Sequence, residues 1–305
     1  MSEETQKQAV QTTGHAWDGD LQEFNNPLPR WWLWGFYATV VFALIYWVLY
    51  PAWPVGKGYT TGAFNDIEFT TADGREVVSH WNTRALFYKE MEEARALQKP
   101  YLDQLKAASY REIAVDRDKS AFAYSMAKVL FADNCAGCHQ AGGAGIIGQY
   151  PNLADDGWLW GGSYARIEES IRKGRHGFMP DFAESLTPQQ IDDVASYVLS
   201  LSGIEVDAEQ AARGKAIFTG PEGGCFACHT REGTGMAALG SANLTDSIWT
   251  IADVNGAEDL AAKKAAVRAV IANGVKREMP AWENRLNDTE IRILTFYVHQ
   301  LGGGQ

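Results

Sequence analysis

The second half of the chain is a duplication, and each copy carries the same five-residue cysteine motif. CAGCH at residues 135–139 corresponds to CFACH at 225–229, and the closing segments YVLSLSG and YVHQLGG correspond with a shift of 100 residues. Units of roughly 85 and 100 residues have the size of small domains, whereas solenoid repeats are shorter and more numerous. The duplication therefore predicts two domains, at 119–203 and 204–305.

The chain has only four cysteines, and all of them lie in these two motifs. C-x-x-C-H is the attachment motif of c-type haem. A thioredoxin-like pair would lie beside a βαβ pattern, which the sequence lacks, and a zinc site made of four cysteines would need the two pairs close together. We therefore expect two covalently bound haem c groups. Their cysteines and proximal histidines are Cys135, Cys138 and His139 in the first copy and Cys225, Cys228 and His229 in the second.

A methionine followed by proline recurs in both copies and suggests the second axial ligand. Met179 and Met279 lie 44 and 54 residues after the first cysteine of their own copies, in the same register of the repeat. A thioether suits haem iron, and the following proline keeps the methionine extended. A lone methionine more often fills a core, but two matched Met-Pro pairs favour ligation. The sequence assigns Met179 to the haem of His139 and Met279 to that of His229.

Other candidate ligands lack a counterpart in the repeat or lie too close to the cysteines. His176 corresponds to Lys276, and Met236 follows Cys225 by only 11 residues. The residues expected to be structural or exposed are His15, His80, His176, His299 and Met236.

The surroundings of each haem can also be anticipated. The aromatic side chains expected along the haem edges are Trp158, Trp160, Trp249, Phe131 and Phe218. A ligating histidine usually donates its other ring N–H to an acceptor that orients the ring. We expect the carbonyl of Pro151 to be that acceptor for His139, and the carbonyl of Ala242 in the second copy.

An uncharged, aromatic-flanked stretch precedes the duplication and predicts a membrane span at 31–53. As a helix these 23 residues would span roughly 34 Å, which matches a bilayer core of about 30 Å. A buried core helix or a cleaved signal peptide would explain the flanking tryptophans and tyrosines less well. The positive charges on the two sides are nearly even, so they do not decide the orientation.

Between the span and the duplication, residues 54–118 carry no cysteine or metal motif and are expected to be a solvated linker. A helix should begin at Asn82 or Thr83 and be interrupted by Pro100. The predicted fold class is therefore mainly α, with one N-terminal transmembrane helix followed by two tandem class I cytochrome c-like domains.

The net charge of −11 argues against binding to nucleic acid, which needs a basic face. Both copies have a net charge of −3, with 6 Lys and Arg against 9 Asp and Glu in 119–203 and 10 against 13 in 204–305. Acidic surfaces guide the encounter with a partner that has a basic docking surface. Haem c is attached on the outer face of the bacterial cytoplasmic membrane, so residues 54–305 are expected in the periplasm and residues 1–30 in the cytoplasm.

The chain resembles a known family over nearly its whole length. GHAWDGDLQEFNNPLPRWWLW ahead of the span, LYPAWP after it, and two C-x-x-C-H units with YPNLADDGWLWGG are similar to the dihaem subunit, CcoP or FixP, of cbb3-type cytochrome c oxidases. The segment NNPLPRWW distinguishes this family from other dihaem cytochromes, because the haem motifs alone would fit many of them. Some members carry two N-terminal spans, whereas this chain shows one.

The resemblance implies a respiratory electron carrier without a catalytic centre of its own. It would accept electrons from a soluble cytochrome c and pass them, through a monohaem subunit, to the haem-copper subunit that reduces oxygen. By the same resemblance the two haems are held by the cysteine, histidine and methionine residues assigned above. Two alternatives stay open: the dihaem subunit of another periplasmic or membrane redox enzyme, and a dihaem peroxidase, which would need a releasable axial ligand.

Overall fold

The computed structural model describes residues 11–63 and 66–302. The chain divides into two compact units, Met1–Gln98 and Lys99–Gln305. Helices predominate, and every sheet within the described residues has only two strands. The mainly α fold is therefore confirmed.

The described part of the first unit combines short antiparallel hairpins with an apolar helix. Its strands are β1 (Thr12–Trp17) paired with β2 (Leu21–Phe24), β3 (Pro54–Val55) paired with β4 (Gly58–Tyr59), and β5 (Asp66–Thr70) paired with β6 (Glu76–His80). The turn between β1 and β2 places Asp18 and Gly19 at φ values of 48° and 88°. These left-handed conformations suit glycine and aspartate, which explains the tight reversal.

Helix α1 (Arg30–Leu49) is long and apolar enough to cross a membrane, with 20 residues and a mean hydropathy of 1.7. None of its residues is buried within the protein. The helix is shorter than the predicted span of 31–53, because Pro51 cannot continue it and the chain turns back beyond Tyr50. The backbone N–H of Ala63 then donates to the free carbonyl of Val48 at 2.9 Å, which satisfies an orphan acceptor at the helix end.

Helix α2 (Thr83–Ala107) begins where the sequence predicted, since the Asn82 side chain accepts from the Ala85 N–H at 2.8 Å. The predicted interruption at Pro100 is wrong, because the helix continues through it. Proline removes one hydrogen bond to the carbonyl four residues earlier. That carbonyl belongs to Ala96, which is exposed, so water can replace the lost donor.

The second unit contains the duplication. Its further elements are α3 (Tyr110–Val115), α4 (Arg117–Asn134), α5 (Ala136–His139), α6 (Tyr164–Lys173), β7 (Arg175–Met179), α7 (Pro188–Leu201), α8 (Ala208–Thr219), α9 (Phe226–His229), α10 (Leu260–Asn273), β8 (Val275–Met279) and α11 (Asp288–Leu301). Helix α7 has a strong start: Thr187 caps it in a capping box with Gln190, and Pro188 occupies the first turn.

Two hydrophobic cores organise this unit, and each draws helices from both sequence copies. The first contains buried residues of α4, α6 and α11. The second contains buried residues of α7, α8 and α10. The sequence boundaries 119–203 and 204–305 therefore separate the two copies but do not coincide with the two cores.

The connection between the copies explains why neighbouring helices pair. Only residues 202–207 join α7 to α8, and the two helices pack as an antiparallel hairpin. They approach closely at Gly214, where a Cβ would lie 2.0 Å from the Asp193 carbonyl oxygen. The carboxylate of Asp193, which is buried, binds Arg213 through its Nε at 2.8 Å and Nη2 at 2.9 Å. The close packing at Gly214 and the ion pair between Asp193 and Arg213 therefore hold the end of the first copy against the start of the second.

The end of the predicted linker is part of the first core, so a wholly solvated connector is wrong. Leu105 and Ile113 are buried there together with residues of α4 and α11. Arg292 on α11 donates to the carbonyls of Leu105 and Ala108, at the end of α2. Apolar burial and these hydrogen bonds to a helix terminus hold residues 105–113 against the duplicated unit.

Candidate functional site

Each C-x-x-C-H motif forms a single helical turn. In the first, the N–H groups of Cys138 and His139 donate to the carbonyl of Cys135 at 3.1 and 2.9 Å. In the second, the N–H groups of Cys228 and His229 donate to the carbonyl of Cys225 at 3.2 and 2.9 Å. Residues three apart share a helix face, so each turn brings two sulfurs to one side with the imidazole next to them.

The two histidine rings are oriented as the sequence predicted. His139 Nδ1 lies 3.1 Å from the carbonyl oxygen of Pro151, and His229 Nδ1 lies 2.9 Å from that of Ala242. A carbonyl only accepts, so Nδ1 carries the proton and Nε2 keeps a free lone pair. The carbonyl therefore fixes the tautomer that binds a metal through Nε2, as is common for histidine ligands.

Burial favours the neutral form of both imidazoles. Desolvation lowers the pKa of His139 and of His229 below the ordinary value, and the carbonyl hydrogen bonds oppose this only in part. A neutral imidazole is the form that ligates iron.

Glycines let the chain close around these carbonyls. A Cβ on Gly145 would lie 2.6 Å from the Pro151 oxygen, and a Cβ on Gly235 would lie 2.6 Å from the Ala242 oxygen. Both glycines also have positive φ, at 64° and 73°. The short loops between histidine and acceptor therefore require glycine at these positions.

The first cysteine of each motif is half-buried, and the second is exposed. Desolvation raises the pKa of the Cys135 and Cys225 thiols to about 11. Before modification these sulfurs are thus protonated and poorly nucleophilic at neutral pH. This distinguishes the motifs from thioredoxin-type pairs, whose attacking cysteine has a lowered pKa.

The two predicted methionine ligands lie on paired strands, β7 and β8. Met179 is half-buried and packs against the core that also contacts Cys225. Met279 is half-buried and packs against the core that also contacts Cys135. Each methionine therefore lies at a core with a C-x-x-C-H motif, and that motif belongs to the other sequence copy.

The predicted haem-edge aromatics are divided between the two cores. Phe131 and Trp158 belong to the first, and Phe218 and Trp249 to the second. The ring of Phe218 lies 6.5 Å from that of His229. Trp160 instead contacts the second copy, since its indole would lie 2.3 Å from a Cβ on Gly240.

The structure gives other roles to the remaining candidates. His15 is exposed beside Trp17, His176 is exposed on β7, and the His80 Nε2 is 3.1 Å from the Tyr59 hydroxyl. His299 stacks on Tyr164 with ring centroids 3.7 Å apart. Among the described residues no group of three or more His, Cys, Asp or Glu is placed to hold a metal ion.

The residues present fit a covalently attached porphyrin. Two cysteine sulfurs, one oriented neutral imidazole and a thioether form a donor set typical of haem c, and each core adds a phenylalanine. In addition, the buried Trp158 Nε1 has no hydrogen-bond partner within the described residues. A buried donor without a partner is costly, and a carboxylate of the porphyrin would satisfy it.

Sequence reasoning missed the aromatic and charged contacts that close the first core. Tyr110 stacks on Tyr164 at 4.4 Å, and its hydroxyl donates to Glu168 at 2.8 Å. The Arg292 guanidinium lies over the Tyr110 ring at 4.5 Å. These residues come from the linker and from both copies, and no repeat register relates them, so the sequence carried no signal for the cluster.

Comparison with known proteins connects this site to a family. Residues 9–57 match the model of the N-terminal domain of cytochrome oxidase-cbb3, FixP. Residues 123–198 and 209–298 match the model of cytochrome c oxidase, cbb3-type, subunit III. The first match covers the membrane helix, and the two others cover the duplicated copies.

Relatives match over nearly the whole of both chains. The FixP subunit of the cbb3-type oxidase of Azorhizobium caulinodans is 42% identical, over 96% of this chain and 94% of the relative. The CcoP subunits of Cereibacter sphaeroides and Azospirillum brasilense are 38% and 37% identical over 96% and 97% of this chain. In both cases at least 95% of the relative is covered. The chain therefore belongs to the CcoP/FixP family of cbb3-type cytochrome c oxidase subunits.

Proposed function

We propose that the chain holds two haem c groups and relays single electrons within a cbb3-type oxidase complex. Bound haem c supplies reversible one-electron iron chemistry. The protein contributes the cysteines that fix each group, the carbonyl-oriented histidines and the two methionines. The observation that carries the proposal is the duplicated site: each core has one C-x-x-C-H turn with an oriented imidazole and one half-buried methionine.

This ligand set favours electron transfer over catalysis on the chain itself. A haem held by one of these histidines and one of these methionines would have no position open for oxygen or peroxide. Met/His ligation also raises the reduction potential, which suits a carrier on the way to oxygen. A peroxidase would need one axial ligand to be displaced, and both copies supply a methionine.

The N-terminal segment favours the oxidase over another dihaem enzyme. Its match to the FixP N-terminal domain includes the membrane helix α1. We assign as partners the haem-copper catalytic subunit and the monohaem subunit of the same complex. The helix would anchor the chain in the inner membrane, with residues 1–30 in the cytoplasm and the haem units in the periplasm.

The charge of the haem units suggests the donor. Each copy has a net charge of −3, which favours a soluble cytochrome c with a basic docking face. Electrons would pass from that donor through this chain toward the haem-copper subunit.

Purification of the complex through a tag on this chain tests the proposal. We expect oxygen consumption with reduced cytochrome c as the donor, together with haem c, haem b and copper in the preparation. Two haem c groups should be found on this chain by mass. A preparation without haem b, copper and oxygen consumption would refute the oxidase assignment. Peroxide reduction by the isolated chain would instead support the peroxidase.

A further inference from the structure

We propose that Arg277, on β8, binds a propionate carboxylate of one of the two haem c groups and raises the reduction potential of that haem. The inference rests on the proposed binding of two haem c groups. It gives a role to a charged side chain that neither the ligand set nor the contacts within the chain account for.

Arg277 shares one face of the β7–β8 ribbon with both predicted methionine ligands. Side chains alternate between the two faces along a strand, and directly opposed residues lie on the same face. Arg277 lies opposite Gly177. Met279 is two residues from Arg277 on β8, and Met179 is two residues from Gly177 on β7. This face is the half-buried one, because half-buried and exposed residues alternate along both strands.

The guanidinium of Arg277 is half-buried and has no partner among residues 11–63 and 66–302. Burial lowers the pKa of this side chain, and no acidic neighbour or hydrogen bond opposes the effect. Burying a cation without a partner is costly, so charges in such positions are normally paired. An anion from outside the polypeptide would therefore complete the surroundings of Arg277.

The other arginine on this face has its partners within the chain. Arg175 on β7 donates to the Glu169 carboxylate at 3.0 Å and to the Ser170 hydroxyl at 2.8 Å. Its guanidinium also lies over the Trp160 ring, 4.9 Å from the centroid. Arg277 has no contact of these three kinds in the described part of the chain. The two arginines therefore differ in their partners although they lie on the same ribbon face.

The two arginines are also not counterparts in the repeat. With the shift of 100 residues, Arg175 corresponds to Val275, and Arg277 corresponds to Gly177. The glycine leaves space next to Arg277, since a Cβ on Gly177 would have only the Arg277 Cβ within reach, at 4.0 Å. No cross-strand side chain covers Arg277, which leaves room for a ligand on this face of the ribbon.

A haem propionate is the anion that the proposed cofactors themselves would bring to this face. Haem c carries two propionate carboxylates, and a guanidinium binds a carboxylate through two parallel hydrogen bonds. A positive charge next to a haem disfavours the ferric state, which carries one more positive charge than the ferrous state. Pairing Arg277 with a propionate should therefore raise the reduction potential of that haem.

Two substitutions at neighbouring residues test the assignment in the full-length, detergent-purified protein. Arg277→Gln removes the charge from the half-buried face of β8, whereas Lys276→Gln removes an equal charge from its exposed face. Redox titration gives the reduction potentials of both haems, and resonance Raman spectroscopy records their propionate bending bands. We expect Arg277→Gln to lower the potential of one haem and to shift its propionate band, while Lys276→Gln leaves the potentials and the bands as in the unmodified protein.

Unchanged propionate bands in Arg277→Gln would overturn the proposal, because Arg277 would then pair with an anion from solvent or from another protein, or act only as a distant charge. Arg277→Lys gives an independent reading if the glutamine variant does not mature. Lysine keeps the charge but lacks the planar fork, so the propionate band should still shift while the potential falls less. An unchanged band in this variant would also overturn the proposal. Failure of the proposed function looks different, since the unmodified protein would then lack two haem c groups.

Discussion

At the scale of single residues, the sequence predicted the histidine environment down to the acceptor atom. The carbonyls of Pro151 and Ala242 accept from His139 and His229 at 3.1 and 2.9 Å. This succeeded because the repeat places both acceptors at a nearly constant distance beyond the motif. The contact of Trp160 with Gly240 could not be predicted in this way. Gly240 belongs to the other copy, so the contact leaves no pattern in the sequence around Trp160.

The importance of the oriented histidine can be tested at one residue. His229→Ala removes the imidazole that holds the iron while both thioethers form, so covalent haem should fall from two groups to one per chain. His176→Ala is the control, because that side chain is exposed on β7 and should leave both haems in place. Haem content per chain, measured by absorbance of the pyridine complex and by mass, checks the result. Two full haems in His229→Ala would contradict the ligand assignment.

At the scale of elements, local sequence signals predicted helix starts better than helix ends. Asn82 caps α2 as expected, and Thr187 caps α7 in the same way, because a side-chain cap depends only on neighbouring residues. Pro100 was expected to interrupt a helix but lies within α2, since its cost is borne on an exposed face. For the Met-Pro segments the sequence predicted only an extended methionine. The pairing of β7 with β8 was not predicted, because the two strands lie 100 residues apart in the chain.

Glycine substitutions test the contact between these strands and the helix ends. Gly174→Ala and Gly274→Ala should each destabilise the protein, because positive φ combined with ψ near 180° is a conformation that essentially only glycine adopts. Alanine there costs about 1–3 kcal/mol before the clash of its Cβ with the opposite carbonyl, that of Met279 or Met179, is added. Gly177→Ala is the control, since the nearest atom to its Cβ is 4.0 Å away. Thermal unfolding of the three variants gives the comparison. Equal midpoints for Gly174→Ala and Gly177→Ala would exclude the close approach at Gly174.

At the scale of the whole molecule, sequence order does not reveal which helices share a core. The two copies carry the same kinds of interface, with Ala127 and Gly214 at the matching buried positions of α4 and α8. A closing helix could therefore pack in its own copy or in the other. The short connection at 202–207 favours α7 on α8, which leaves α11 for α4. Which helices pair is therefore decided by the connectivity of the chain and not by residue type, as in domain swapping.

Shared cores should make the duplicated unit unfold as one. Leu294→Ala removes a fully buried side chain of α11 from the first core, at an expected cost of about 2–5 kcal/mol. Because α11 continues from β8, whose partner β7 leads into α7 of the second core, loss of the first core should also release the methionine segment of the second. Calorimetry of the detergent-purified chain should show one transition for residues 99–302, shifted as a whole.

The control for this experiment is Val129→Ala on α4, whose side chain is 61% exposed and should change the midpoint little. Two resolved transitions, only one of which moves in Leu294→Ala, would mean that each copy folds independently. In that case the exchange of helices and the coupling of the two haem sites would both be wrong. A single shifted transition would instead mean that the two copies fold as one cooperative unit, because each core is built from helices of both copies.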